Sequence, residues 1–523
     1  MNDAAPGILA VTLVTVATLA IGTWGLRFSR TTSDFMVASR TVGTRLNASA
    51  IGGEYLSAAS FLGIAGLVLV RGTEMMWYPV GWTAGYVALL VLVAAPLRRS
   101  GAYTVSDFAE ARLGSRSVRS LCTVIVVLVG WLYLLPQFQG AGITLQSTIG
   151  APRWVGEIVV PVIVLINVMS GGMRSITFVQ AFQYWLKLTA LLLPLVVLLF
   201  VWWGDGAPHP VDAPASGVDP ATWALPLAGA DAQGLYLTYS LIVATLLGTM
   251  GLPHVVVRFY TNPDGRAARR TTLVVLALLG MFYLLPPVYG ALGRVYADAL
   301  VLAGRGDVLV LELPRLMVGG PVGELLTALV TAGAFAAFLS TSSGLAIAVA
   351  GVLGQDVTGR PVRGRRLSGV AAFRAGCVVA VTIPCVLALT VPGVGVARAV
   401  GLAFAVAAST FCPLLVLGIW WRSLTRTGAM AGLIAGGCGS GVAVLWTLGT
   451  PPGSGWASVL LSQPAAWSVP LAFTTMVVVS KLTRAEVPGD VHRIMVRLHT
   501  PEQVQLDREL TRRNPAPDRA GWA

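Results

Sequence analysis

The chain has 523 residues, 55% hydrophobic and only 11% charged, with a net charge of +13. A soluble domain carries about a quarter charged residues, so an ordinary soluble enzyme is excluded and no enzymatic activity is expected. Apolar runs recur instead at the roughly 20 residues needed to cross a hydrocarbon core about 30 Å thick, which predicts an all-α polytopic membrane protein.

In chain order, thirteen spans are read near 8–26, 47–70, 76–97, 121–143, 155–172, 176–203, 236–257, 272–293, 322–352, 376–394, 397–420, 427–448 and 467–480. The opening MNDAAPG holds Asp3 and no Lys or Arg, so it lacks the basic stretch of a cleaved leader, and the first run is expected to be a retained helix. With the N-terminus outside, 29 Lys and Arg fall on the cytoplasmic side and six outside: Arg71, Arg153, Arg294, Arg305, Arg315 and Arg398. That bias predicts an external N-terminus, a cytoplasmic C-terminus and residence in the cell membrane. Residues 1–480 read as one transmembrane domain, and 481–523 as a cytoplasmic tail. The +13 charge tracks topology rather than a nucleic-acid partner. The basic loop RPVRGRR, 360–366, reads as an anchor on anionic headgroups.

The second span, LNASAIGGEYLSAASFLGIAGLVLV, carries a Gly52-Gly53 pair, Glu54, Ser57 and Ser60. A glycine weakens a helix by about 1 kcal/mol, so a break is expected near Gly53, and the carbonyls it frees suit a cation. The seventh span repeats the device at Gly248, Gly251 and Pro253, followed by His254. Four intact spans separate the two, so each opens a set of five, and core repeats are expected over about 47–203 and 236–420. Matched interruptions of this kind point to an inverted-repeat transporter with its substrate at the breaks. In the ninth span Ala337, Ser340, Thr341 and Gly344 share one helical face. Their oxygens suit a hard monovalent cation, although a stripe of small residues also serves close helix packing.

The strings GGEYLSAASFLGIAG, GGMRSITFVQ, GTMGLPHVVVRFYT, FLSTSSG and IMVRLHTPE resemble the sodium:solute symporter family, and within it the cation/acetate symporter and monocarboxylate branch. The resemblance implies about thirteen helices, a five-plus-five inverted-repeat core like that of amino-acid/sodium symporters in spans 2–11, and symport of a cation with acetate or a related short-chain monocarboxylate. It implies a sodium site from the carbonyls of Gly53, Leu56 and Ala337 and the hydroxyls of Ser340 and Thr341. It also places substrate beside Gly53 to Ser60 and Gly248 to His254. The acetate branch tends to carry Asp where this chain has Glu54, which leaves a proton on Glu54 as a competitor to sodium.

A carboxylate this small must be recognised through charge and hydrogen bonds, so Glu54, Ser57, Ser60, Thr249, His254 and Gln137 are the candidate contacts, with the half-helix N-termini beside them. Lys187, alone in the sixth span, is expected to snorkel, with pairing to Glu54 as the alternative. The five cysteines show no C-x-x-C spacing, so neither a disulfide framework nor a cysteine metal site is expected. No organic cofactor is implied, and without a G-x-x-x-x-G-K-[ST] loop ATP is not expected as a partner.

Overall fold

The computed structural model describes residues 5–504, apart from 26, 28–31, 212–219, 228–229, 359–368, 392, 394, 451–452, 454 and 503. The RPVRGRR loop and the last 19 residues thus lie outside the described residues. Within hydrocarbon every backbone N–H and C=O must be bonded inside its own segment, and each apolar run accordingly forms a helix. No strand occurs among the described residues.

The helices that build the site are α1 (Ala5–Gly25), α2 (Thr44–Tyr55), α3 (Ile64–Arg71), α4 (Trp77–Leu92), α5 (Arg116–Ile149), α6 (Arg153–Gly204), α7 (Ala232–Gly251), α8 (Pro253–Val257), α9 (Gly320–Leu353), α10 (Val396–Trp420) and α11 (Val491–His499). Eleven helices among the described residues are long and apolar enough to cross a membrane, or twelve when the bent pair carrying α2 and α3 counts as one span. The expected thirteen is recovered only if α6, at 52 residues, is read as two crossings. Its halves meet at Gly172, where φ is +56° and an added Cβ would lie 2.6 Å from the Cα of Phe35. A glycine is needed there on both counts.

Both predicted breaks are present. Between α2 and α3 the chain leaves the helix at Leu56 (φ −72°, ψ 85°), passes through one π-helical turn over Ala59–Gly63, and bends by 69°. The second break sits at Leu252 (φ −68°, ψ 118°), and Pro253 opens α8 at a position whose N–H would have no helical partner.

Close approach of helices fixes the surroundings of these breaks. A Cβ on Gly53 would overlap the carbonyl of Gln180, so α2 lies directly on α6. Gly248 and Gly251 likewise abut the backbone of α10 at Phe404 and Ala407. At the Lys/Arg-rich end, buried Arg112 donates to Gly418 O (2.8 Å), Trp421 O (3.0 Å) and Arg422 O (3.2 Å), capping the C-terminus of α10. Helix α11 docks at the same end: Arg497 donates to Arg99 O (3.2 Å), and Glu502 accepts from Gly265 N (2.9 Å) and pairs with Arg99 (3.4 Å).

Candidate substrate and cation site

Three of the five oxygens expected to hold a cation, Gly53 O, Leu56 O and Ser340 Oγ, gather around one atom. The carbonyls of Gly53 and Leu56 come from the end of α2, whose last turn is left unpaired by the break, and face the middle of α9. Ser340 Oγ donates to Ala337 O (3.1 Å), and Thr341 Oγ1 donates to Glu54 O (2.6 Å). The atom they gather around is the ammonium of Lys187 from α6, which donates to Gly53 O, to Leu56 O (2.7 Å) and to Ser340 Oγ (2.9 Å). Lys187 is fully buried and does not snorkel. It lies on a face of α6 covered by α2 and α9, whose oxygens hold its ammonium. Gln180, two turns earlier on α6, donates to Ser340 O (2.8 Å) and orients the same segment of α9.

Glu54 is turned into the protein. Its carboxylate pairs with the guanidinium of Arg258 and accepts from Gln180 (3.4 Å), and it packs against Gly344, where any Cβ would collide with it. Arg258 follows α8 and donates onward to Thr177 Oγ1 (3.1 Å). Both residues are buried, at 2% and 0% exposure. This pair joins the two discontinuous helices. Further toward the Lys/Arg-rich end, Asn47 donates to Asn262 (3.1 Å) and accepts from Thr261 (3.1 Å), while Thr271 donates to Asn262 (2.7 Å). These bonds lace that end of the core together.

Around the breaks lies a layer of aromatic rings with polar atoms left over. Tyr133 meets His254 edge-on at 5.3 Å and Phe404 at 5.9 Å; Trp82 contacts Phe404 at 5.7 Å and Tyr283 at 5.8 Å; Tyr55 contacts Tyr86 at 4.6 Å. Gln137 accepts from Ala58 N in the first break (3.2 Å), but its amide nitrogen has no partner. Ser57 Oγ, Tyr86 Oη, Trp82 Nε1 and both ring nitrogens of His254 are also buried without a hydrogen bond. Buried polar atoms are rarely left so. Ser60 is bonded to Tyr283 (3.1 Å), and Thr249 to Tyr55 (2.8 Å) and Thr245 O (2.7 Å). Gly248 and Gly251 bring α7 against α10 at Phe404, a member of that layer, and at Ala407.

On the opposite side from the laced end, a cavity of about 370 Å³ is lined by Arg71, Glu74, Tyr78 and Arg398 among others. Tyr78 packs on Trp82 at 5.4 Å, so the cavity floor adjoins the aromatic layer.

Sequence reasoning did not identify Lys187 as the occupant of the oxygen cluster, Arg258 as the partner of Glu54, or Gln180 as the orienting amide. Signals existed: Lys187 was the one Lys or Arg placed inside a span, and Gln180 and Arg258 both sit in the strings GGMRSITFVQ and GTMGLPHVVVRFYT.

Two broken helices related across an inverted repeat, with an oxygen cluster and an aromatic layer at the breaks, define the class of secondary transporters. The chain belongs to the sodium:solute symporter family, whose pattern it matches over residues 35–436. It is 30% identical over 475 residues to an uncharacterized symporter, YwcA, of Bacillus subtilis, covering 87% of this chain and 90% of that one. It is 31% identical over 498 residues to a monocarboxylic acid transporter of Corynebacterium glutamicum, covering 89% and 90%. Among solved structures, a substrate-bound, outward-open Na+-coupled sialic acid symporter matches with a TM-score of 0.71 at 14% identity, covering 91% of this chain and 98% of that one. A nucleobase-cation-symport-1 transporter in a closed conformation matches at 0.52 and 13% identity, covering 88% and 98%. The protein is thus a multi-pass membrane symporter with the five-plus-five inverted-repeat fold.

Proposed function

We propose that this chain takes up acetate or a related short-chain monocarboxylate across the cell membrane together with a monovalent cation, by alternating access. The observation that carries the reading is the group of unpartnered polar atoms at the breaks: Ser57 Oγ, Gln137 Nε2, Tyr86 Oη, Trp82 Nε1 and the His254 ring. Hydroxyl, amide and indole groups supply N–H and O–H donors, and a carboxylate is an acceptor-only ligand. The kinship with a monocarboxylic acid transporter supports the same substrate class. The charge bias of the loops supports an external N-terminus and a cytoplasmic tail after about residue 480, which makes the laced end cytoplasmic and the Arg71–Arg398 cavity the outer vestibule.

The family and the Na+-coupled neighbour support sodium as the coupling ion, and the oxygens of Gly53, Leu56, Ala337, Ser340 and Thr341 are the ligands the reading gives it. The Lys187 ammonium in the midst of those oxygens favours a second reading, in which another ion, the proton first, drives uptake. One cation moving with one monocarboxylate is electroneutral, so a tenfold ion gradient supplies about 1.4 kcal/mol; a second cation adds about 2.3 kcal/mol per 100 mV.

The test is uptake of labelled acetate into proteoliposomes with imposed sodium or proton gradients, competed by propionate, pyruvate and proline. Accumulation above equilibrium that an ionophore abolishes, with competition by the monocarboxylates and not by proline, is the expected result. Equilibration without accumulation removes symport, and competition by proline or a sugar alone moves the solute out of the carboxylate class.

A further inference from the structure

The oxygen cluster between α2 and α9 is chemically indifferent to the kind of cation it holds. Carbonyl and hydroxyl oxygens coordinate a small hard ion, and the same lone pairs accept N–H bonds from an ammonium. An ammonium has three donors, and Lys187 finds three acceptors here, in Gly53 O, Leu56 O and Ser340 Oγ. The other two oxygens are engaged as well: Ala337 O accepts from Ser340, and Thr341 Oγ1 donates to Glu54 O. With Lys187 in place, a sodium ion would have to share three ligands with a positive charge at contact distance. The residues do not fit both.

We propose that Lys187 is the resident cation of this site: tethered to α6, its ammonium pins the first broken helix to α9 and supplies the positive charge that a free sodium ion would otherwise bring, so that uptake does not require sodium. The inference rests on the symport reading above and deepens it. Three charged side chains meet in the core, Lys187, Arg258 and Glu54. The last two are paired with each other, so the lysine charge is left over. An anionic solute seated at the breaks meets a core with one unneutralised positive charge built in, where a neutral solute would leave that charge uncompensated. The tether also removes a step, because the pinning cation cannot leave to the cytoplasm after each cycle.

The experiment uses the purified full chain in two formats. In proteoliposomes with a fixed proton gradient, wild-type uptake of labelled acetate is expected to agree within about twofold between sodium, potassium and choline media. In detergent, the wild-type melting temperature is expected to be the same in sodium and potassium chloride. Lys187→Ala and Lys187→Thr empty the cluster, and both are expected to gain a saturable, sodium-specific rise in melting temperature that wild type lacks. Sodium stimulation of wild-type uptake by tenfold or more, or a saturable sodium-induced melting shift in wild type, overturns the proposal. So does a folded pair of Lys187 variants that ignore sodium. If a variant fails to fold, the two wild-type arms still decide. Absence of carboxylate uptake in every medium would instead remove the substrate reading, while the melting comparison continues to judge the lysine on its own.

Discussion

Removing the carboxylate of Glu54 isolates what the buried pair with Arg258 contributes. Glu54→Ala leaves a guanidinium that is 0% exposed with Thr177 Oγ1 as its remaining side-chain partner, because its Nη2 is already without a hydrogen bond. Breaking a buried ion pair from one side costs about 3–5 kcal/mol. Coulomb's law at an effective dielectric of about 20 and about 4 Å returns a similar figure of about 4 kcal/mol. Glu54→Gln keeps an acceptor for the arginine and loses only charge, so it should fall between wild type and Glu54→Ala. Replacing both partners, Glu54→Leu with Arg258→Met, removes the stranded charge and should return stability close to wild type. Transport should stay lost in that double variant, because the pair is what couples the end of α2 to the segment after α8. Denaturant unfolding in detergent of wild type, Glu54→Leu, Arg258→Met and the double variant, run as a double-mutant cycle, measures the coupling, and acetate uptake is read on the same preparations. A Glu54→Ala variant as stable as wild type, or a double variant as unstable as the two single losses added together, would show that the pair does not bear on the core as argued.

Further outcomes follow from other parts of the molecule. Arg71→Gln with Arg398→Gln should raise the half-saturating acetate concentration several-fold and flatten its dependence on ionic strength, with the maximal rate little changed, since the two charges line the vestibule and not the breaks. Arg112→Ala should lower stability by about 2–3 kcal/mol, from charge-assisted bonds to the end of α10, while uptake per folded molecule is retained. Gly53→Ala should cost about 1–3 kcal/mol by overpacking and abolish uptake, because the new Cβ meets Gln180 O and pushes Gly53 O away from Lys187; melting and uptake measured together test both halves.

The spans and the two breaks were legible because each is written within one stretch of chain, whereas the set of oxygens expected at the cluster came from the family resemblance. Hydropathy marks a crossing, a glycine pair or a Gly-Pro run marks a break, and Ala337, Ser340 and Thr341 share a face by spacing alone. The partners were not legible, because they depend on which helix lies opposite. Lys187 has the same sequence surroundings whether it snorkels or finds a cradle; the cradle exists only because α2 opens at Leu56 and α9 brings Ser340 to meet it. Arg258 was counted with the cytoplasmic flank, since the seventh span was read as ending at 257, yet α8 is so short that the arginine is still inside the core. The count of crossings blurred for a similar reason: the joint at Gly172 lets two spans run on as one 52-residue element.

That joint also acts as a depth gauge. Lys187 lies 15 residues beyond Gly172, which at 1.5 Å per residue sets its Cα about 22 Å along the second half of α6, far from both ends of that half-helix. Phe35 wedged against the joint fixes where the measurement starts. Inserting one residue between the two positions would turn the side chain by about 100° and swing the ammonium out of its oxygens, whereas an insertion after Leu191 would leave the register untouched. The length of this segment, more than the identity of its apolar residues, is what the core constrains.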